Sequence, residues 1–294
     1  MEIATKKLLL EFMVTTQAKR KRKNIFANLV LSILAILAVS PLVAILGFLI
    51  SKGIGALSWE FLTSLPAPYG ESGGGMGHSI VGTFILVLFA SLLGIPVGFG
   101  AGIFLAESSK ESRFASIVRL CAEMLAGVPS IVVGLFAYFV AVLPFGGFSA
   151  FAGGFALSVI MIPVIARTSE EILRLVPVHV REAGLALGLP RWQVVMRIVL
   201  RGSRKGLFTA VLLAVARASG ETAPLLFTAL NSRLWSFSAT QPISSLPVQI
   251  YTYATSPSEE WHQQAWGGAL LLVLLVLGMS LFARFLFSGK KYGT

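Results

Sequence analysis

The sequence predicts an all-α integral membrane protein with six transmembrane helices and one short cytoplasmic helix. The first observation is composition, since 55% of the 294 residues are hydrophobic and only 13% are charged. Soluble domains carry about 25% charged residues, and a soluble domain with half that fraction would expose large apolar patches. The second observation is a series of long apolar runs, which lipid tolerates and water does not.

Six of these runs are long enough to cross about 30 Å of hydrocarbon at 1.5 Å per residue. The predicted spans cover residues 25–50, 79–106, 117–143, 148–166, 207–230 and 265–287. The first run follows a basic start, but it exceeds the ~7–15 apolar residues of a cleaved signal peptide. We therefore predict a retained anchor. The predicted organisation is a basic tail over 1–24, a transmembrane domain over 25–294, and a cytoplasmic segment over 167–206.

The net charge of +11 is compatible with a nucleic-acid partner or with a membrane surface. Its distribution decides between them, because Lys and Arg concentrate on the cytoplasmic side of membrane proteins. Seven lie in the N-terminal tail, three around the loop after the second span, eight after the fourth span and three near the C-terminus. Only Lys52 and Arg233 lie on the opposite side. This pattern predicts a multi-pass protein with both termini in the cytoplasm and no nucleic-acid partner.

Residues for catalysis and metal binding are scarce. The single cysteine, Cys121, excludes an intrachain disulfide, and the chain has no Asp. His78, His179 and His262 are too far apart in sequence to indicate a metal site or a catalytic site. No Gly-x-x-x-x-Gly-Lys-Ser/Thr motif occurs, so any ATP must be bound by another subunit. We expect no catalytic residue, no metal and no cofactor in this chain.

Small residues recur every four positions in the second span, which places them on one face of a helix. They are Ala90, Gly94, Gly98 and Gly102. Small residues let transmembrane backbones approach closely, which favours helix packing in lipid. Close helix packing is therefore the predicted role of this stripe.

The fifth span contains two charges, Arg217 and Glu221, four residues apart. Each costs ~2.5–3.5 kcal/mol near the centre of a bilayer, and their spacing puts them on one helical face. Pro224 cannot donate to the carbonyl of Gly220, so a helix break is predicted beside the pair. One interpretation is an internal ion pair that locks the helices together. The other is a polar stripe on a translocation route, where Arg217 receives an anion.

The cytoplasmic segment contains Glu182, Ala183, Gly184 and Gly188 within a stretch of apolar residues at helical spacing. This pattern predicts a short amphipathic helix that fills a groove on a partner protein. A helix lying on the anionic membrane surface is the alternative.

The same residues resemble the cytoplasmic motif of ABC-importer permeases: Glu-Ala-Ala, three residues, Gly, nine residues, Ile-x-Leu-Pro. Gly184 replaces the third residue of that motif, and Arg201 replaces its final Pro. Four further stretches resemble phosphate permeases of the PstA type. They are GHSIVGTFILV (77–87), LAGVPSIVVGLFAY (125–138), LRLVPVHVREAGLALG (173–188) and RASGETAPLLFTA (217–229).

The resemblance implies a type I ABC-importer permease fold in a bacterial inner membrane. The implied partners are a second homologous permease, two copies of an ATPase that binds ATP and Mg, and an extracytoplasmic phosphate-binding protein. The substrate would be inorganic phosphate, with Arg217, Glu221 and Arg167 along its route. Coupling to the ATPase would fall to Arg181, Glu182, Ala183, Gly184, Leu187 and Gly188. Another oxyanion, such as molybdate or phosphonate, is an alternative substrate, and an ion-driven secondary transporter is a different class.

Overall fold

The structure is a computed structural model that describes the backbone of residues 2–71, 73–109 and 112–287. Side chains are described for residues 20, 21, 23–71, 73–109 and 112–282. Within these ranges the chain is helical, and the only strand-like pairing is an isolated bridge between Pro66 and Gly74. The predicted all-α class is confirmed.

The chain divides into two compact units, Met1–Ser51 and Lys52–Thr294. The first unit consists of most of helix α1 (Glu2–Gly53), which continues through Pro41. Its residues 23–50 are almost entirely exposed and apolar. The predicted boundary between residues 24 and 25 falls inside this helix.

The second unit contains the remaining helices. These are α2 (Trp59–Thr63), α3 (Gly77–Glu107), α4 (Arg113–Gly127), α5 (Ser130–Ala137), α6 (Ala150–Arg174), α7 (Val178–Ala186), α8 (Arg191–Gln193), α9 (Leu200–Ser219), α10 (Ala223–Leu226), α11 (Leu246–Ala254) and α12 (Glu259–Phe287). Wider π-type turns cover Tyr138–Val142 and Val194–Val199.

Four helices of the described part are long and apolar enough to cross a bilayer: Lys23–Ala56, Gly77–Glu107, Ala150–Arg174 and Glu259–Phe282. The stretch Arg113–Gly127 with Ser130–Val142 makes a fifth if this bent pair is one span. The predicted total of six spans stays a prediction, and two of the predicted spans are not single helices.

The predicted span over 117–143 bends by 105° between α4 and α5. Pro129 explains the bend, because proline disfavours helical geometry in the residue before it. Val128 accordingly adopts an extended conformation (φ −67°, ψ 132°). The predicted span over 207–230 also ends early, since α9 stops at Ser219 and only the single turn α10 follows.

The fourth predicted span, 148–166, is longer than expected. Its helix α6 begins at Ala150, where Ser149 at the N-cap accepts a hydrogen bond from the backbone N–H of Ala152 (3.1 Å). It then continues to Arg174, eight residues beyond the predicted end. The first part of the predicted cytoplasmic segment is therefore a rigid extension of α6.

The stripe of small residues on α3 packs against α6. A Cβ atom on Gly98 would lie 2.8 Å from the Cβ of Ile165, and one on Gly102 would lie 2.7 Å from the Cβ of Ser169. Ala90 is fully buried in the same hydrophobic core, which also contains Leu157 of α6. The backbones of α3 and α6 therefore approach so closely that most of this face has no room for side chains.

Around this contact, α6 also packs against α4, α5, α9 and α10. A separate cluster on the side predicted to be extracytoplasmic joins Phe61, Met76, Leu246, Tyr253 and Trp261. At the other end, Leu173, Val194, Val199 and Leu207 form a small core beneath the segment that follows α6. Helix α6 is thus the central element of the second unit.

Gly98→Ala tests this contact. The added methyl group overlaps Ile165, so we expect the variant to lose about 1–3 kcal/mol of stability, the usual cost of overpacking a core. The measurement is the midpoint of thermal unfolding of the purified protein in detergent. Gly100→Ala is the matched control, because a Cβ there meets nothing within 4 Å and alanine favours helix by up to about 1 kcal/mol. Equal shifts in the two variants would contradict the packing described here.

Candidate functional site

The charged pair of the fifth predicted span lies where helix α9 ends. Arg217 is in the last turn of α9, and Glu221 follows the C-cap residue Gly220. The Nε atom of Arg217 lies 3.7 Å from Oε1 of Glu221, and the two side chains are 50% and 17% exposed. This separation gives an ion pair but exceeds hydrogen-bond length.

Arg217 therefore keeps most of its hydrogen-bonding capacity. A guanidinium carries five N–H donors, and those of Arg217 have no hydrogen-bond partner among the residues that the structure describes. An arginine in the last turn of a helix also complements the partial negative charge of the helix C-terminus. The site therefore contains a permanent cation with free donors. The nearby carboxylate of Glu221 reduces the net charge of the site.

The break that creates this site has two causes in the sequence. Gly220 ends α9, and its N–H turns back to the carbonyl of Arg217 (3.1 Å). Pro224 lies in the first turn of α10, where a proline loses no hydrogen bond because those N–H groups have no helical acceptor. The break predicted at these two residues is present, and it interrupts the helix before Pro224 is reached.

A second interrupted element meets this break. A Cβ on Gly134 of α5 would lie 2.6 Å from the Cα of Pro224. Helix α5 follows the 105° bend at Pro129, so two discontinuous helices contact each other directly beside the charged pair. The sequence reveals both prolines but gives no sign that α5 packs against Pro224.

Arg167, the other predicted pathway cation, has a different environment. Its Nη2 lies 2.9 Å from Oε1 of Glu123 on α4, and its Nη1 lies 2.9 Å from Oε2 of Glu170 on α6. It makes no ion pair with Glu221 within the described ranges. Arg167 is therefore neutralised by two carboxylates, whereas Arg217 has one distant carboxylate.

Glu170 is the centre of this cluster, and it is only 3% exposed. Besides Arg167, it pairs with Arg119 of α4 at 2.8 Å and with Arg174 at 3.0 Å. A carboxylate removed from water is costly unless it is paired and hydrogen-bonded, and three arginines supply those partners. The cluster fixes α4 against α6.

The sequence-based prediction missed Glu170 as well as Arg119 and Glu123. One signal was present, because Arg167, Glu170 and Arg174 are spaced three and four residues apart and so share a helical face. Pairing with α4 depends on tertiary structure, however, and the spacing does not reveal it.

The segment predicted to be cytoplasmic forms the expected short helix, α7. Glu182 and Ala183 are exposed, and Leu187 just after the helix is 81% exposed. Other apolar side chains in the same stretch of sequence are also exposed: Leu175, Val178, Trp192 and Met196. This surface combines a carboxylate with apolar side chains, as a protein-binding surface does.

Two of the predicted coupling residues do not face outward. Gly184 is buried, and a Cβ there would lie 2.8 Å from Cδ1 of Ile198. Arg181 also turns inward, with its side chain 18% exposed. Direct contact with a partner is therefore limited to the other side of α7.

Gly188 ends α7 for a conformational reason. Its φ of +79° lies in the left-handed region that disfavours residues with a Cβ. Its N–H bonds to the carbonyl of Leu185 (2.9 Å), and the N–H of Leu189 bonds to the carbonyl of Gly184 (3.3 Å). This pair of bonds is a Schellman motif. It sets the direction of the chain after the helix.

Within the described ranges, no three His, Cys or Glu side chains come together in a way that could hold a metal ion.

Residues 98–291 match the family described as "Binding-protein-dependent transport system inner membrane component". The chain belongs to this family. Two relatives named "Phosphate transport system permease protein PstA" are similar over most of their length. The Yersinia pestis protein is 43% identical, with 97% of this chain and 96% of the relative covered. The Haemophilus influenzae protein is 48% identical, with 84% and 87% covered.

Solved structures show the fold of this inner membrane component. A chain of a bacterial alginate ABC transporter matches with a TM-score of 0.61 at 14% identity, covering 92% of this chain and 96% of its own. A chain of the inward-facing MetNI methionine ABC transporter gives a TM-score of 0.57 at 20% identity, covering 73% and 94%. The predicted type I ABC-importer permease fold is confirmed.

Glu170→Gln tests the buried cluster of this inner membrane component. The substitution leaves three arginines without their shared carboxylate, so we expect about 2 kcal/mol of destabilisation. That is less than the ~3–5 kcal/mol of a fully buried pair, because the arginine side chains are 23–31% exposed.

The midpoint of thermal unfolding in detergent measures this effect. Glu171→Gln is the matched control, since Glu171 is the adjacent residue and is exposed. If both variants unfold at the wild-type temperature, Glu170 does not stabilise the fold.

Proposed function

We propose that the chain is the membrane-spanning permease subunit of an ATP-driven importer of inorganic phosphate. The relatives named as phosphate permeases support the substrate, and the fold supports the class of transporter. Arg217 is the observation that carries the proposal. It is a permanent cation at a helix break, with donors that no other residue in the described part of the chain occupies.

The geometry of Arg217 and Glu221 suits the passage of phosphate across a membrane. An anion crossing hydrocarbon needs a compensating cation, and arginine supplies one at every physiological pH. Its fork of donors also matches phosphate oxygens. A site with several unpaired cations would retain phosphate, whereas Arg217 with Glu221 nearby binds weakly enough for release.

The complete transporter contains partners that this chain requires. Because the sequence carries no nucleotide-binding motif, ATP and Mg are bound by a dimer of cytoplasmic ATPase subunits that docks on the exposed side of α7. A second homologous permease completes the pathway, and an extracytoplasmic binding protein delivers phosphate. Both termini of this chain lie in the cytoplasm, and Glu182, Ala183 and Leu187 face the ATPase.

Another oxyanion is the second candidate substrate, because molybdate and phosphonates offer the same tetrahedral oxygens to Arg217. A competition experiment distinguishes the two candidate substrates. Excess molybdate or phosphonate should leave phosphate uptake unchanged if phosphate is the substrate.

A secondary transporter would retain no ATPase when purified, so co-purification of an ATPase separates that class.

Arg217→Gln is the direct test. The complete transporter, with its ATPase, second permease and binding protein, is reconstituted in liposomes, and uptake of radiolabelled phosphate is measured. Loss of charge-assisted hydrogen bonds worth about 1.5–3 kcal/mol predicts a roughly ten- to hundredfold decrease in uptake.

Arg217→Lys should give an intermediate rate, because it retains the charge but loses the fork. Arg204→Gln is the control, since it removes the same charge from an exposed position at the other end of α9. Normal uptake by an assembled Arg217→Gln transporter would refute the role of Arg217. Absence of phosphate uptake by the wild type would refute the proposed substrate.

A further inference from the structure

Arg181 precedes the exposed residues of α7 but does not share their surface. Its side chain is 18% exposed, whereas Glu182 and Ala183 beside it are exposed. A residue of the predicted coupling motif thus points into the permease. Its contacts there define a role other than binding the ATPase.

The guanidinium of Arg181 holds the ends of two long helices at once. Its Nη1 forms an ion pair with Oε1 of Glu107, the last residue of α3. Its Nη2 donates a hydrogen bond of 2.7 Å to the carbonyl of Leu173, in the last turn of α6. That carbonyl also accepts a hydrogen bond from the backbone N–H of Val176 at 3.3 Å, so Arg181 uses its second lone pair.

A second arginine links the same two helix ends. Nη2 of Arg174, the last residue of α6, donates to the carbonyl of Leu105 in α3 at 3.0 Å. The ends of α3 and α6 are thereby tied to each other, and Arg181 attaches α7 to both.

The covalent connection between α6 and α7 cannot by itself attach α7 to α3. Only residues 175–177 join α6 to α7, and the packing of Gly184 on Ile198 holds α7 to the segment that follows it rather than to α3. Helix α3 has no nearby covalent connection to α7, since α4 follows α3 in the chain. Within the described residues, Arg181 provides the ion pair through which α7 holds α3.

We propose that Arg181 is a positioning residue that converts displacement of α7 into a joint displacement of α3 and α6. It contacts neither the ATPase nor the transported anion. Because α9 packs against α6, the movement reaches the helix that carries Arg217. This inference rests on the proposed function, in which an ATPase moves α7.

The test compares transport with ATP hydrolysis in the reconstituted transporter. Arg181→Gln removes the ion pair, so ATP hydrolysis should stay within about twofold of wild type while phosphate transported per ATP falls about tenfold. Glu107→Gln keeps the hydrogen bond to Leu173 and should lower the ratio about threefold. Arg181→Lys should give an intermediate ratio of phosphate transported per ATP, because an ammonium group retains the charge but cannot bond Glu107 and Leu173 with separate planar N–H groups. Arg204→Gln is the control and should keep the wild-type ratio.

Three results would overturn the inference. They are an unchanged ratio in Arg181→Gln, a parallel loss of transport and hydrolysis, or release of the ATPase from the complex. The last two would mean that Arg181 serves docking. If the Arg181→Gln permease does not accumulate in the membrane at all, Arg181→Lys and Glu107→Gln carry the same comparison.

Hydrogen exchange provides a readout that needs no substrate. Trapping the wild-type complex with ATP and vanadate should change amide exchange in α7 and in the last turns of α3 and α6. In Arg181→Gln, the change at α7 should persist, and the changes in the last turns of α3 and α6 should disappear together, because Arg174 and the close packing keep these two helix ends joined. Persistent changes in the last turns of α3 and α6 would refute the inference. A wild type without phosphate uptake refutes the proposed substrate only, and this measurement still decides the role of Arg181.

Discussion

The close contact between α3 and α6 determines how the rest of the second unit is arranged. In lipid, apolar side chains gain little by leaving the solvent, so helices associate through close packing. Gly98 and Gly102 allow that packing because a Cβ at either position would overlap α6. With α3 fixed along α6, the helix ends that carry Glu107 and Leu173 come close enough for one arginine to contact both.

The interrupted helices follow from a second constraint. Every backbone N–H and C=O within a bilayer needs a partner, so irregular backbone is confined to regions buried in protein or lining a polar route. Helix α5, which follows the break at Pro129, contacts Pro224 through Gly134, and Arg217 lies on the other side of the second break, in the last turn of α9. The irregular backbone before Pro224 meets both conditions. It is packed against α5 on one side, and it presents the half-exposed cation of Arg217 on the other.

The two arginines predicted for the pathway illustrate how far sequence reasoning reaches. Arg217 lies inside an apolar run and is favoured by the sequence itself, whereas Arg167 lies at the end of one and is named only through the family resemblance. Their environments differ, since Arg167 pairs with Glu123 and Glu170 at 2.9 Å whereas Arg217 has Glu221 at 3.7 Å. Pairing with Glu123 depends on the packing of α4 on α6, and residue spacing within one helix does not encode it.

The sequence by itself determined the membrane class, the small-residue face of α3, the break near Gly220 and the short helix α7. These are local properties, because hydrophobic run length, helical periodicity and the backbone limits of Gly and Pro act over a few turns of chain. Only the tertiary structure decided that Arg181 turns inward to Glu107 and that Glu170 is buried among three arginines. The Arg119–Glu170 and Arg181–Glu107 pairs join residues 51 and 74 positions apart. Their energies depend on distance and burial, which arise only when the helices pack.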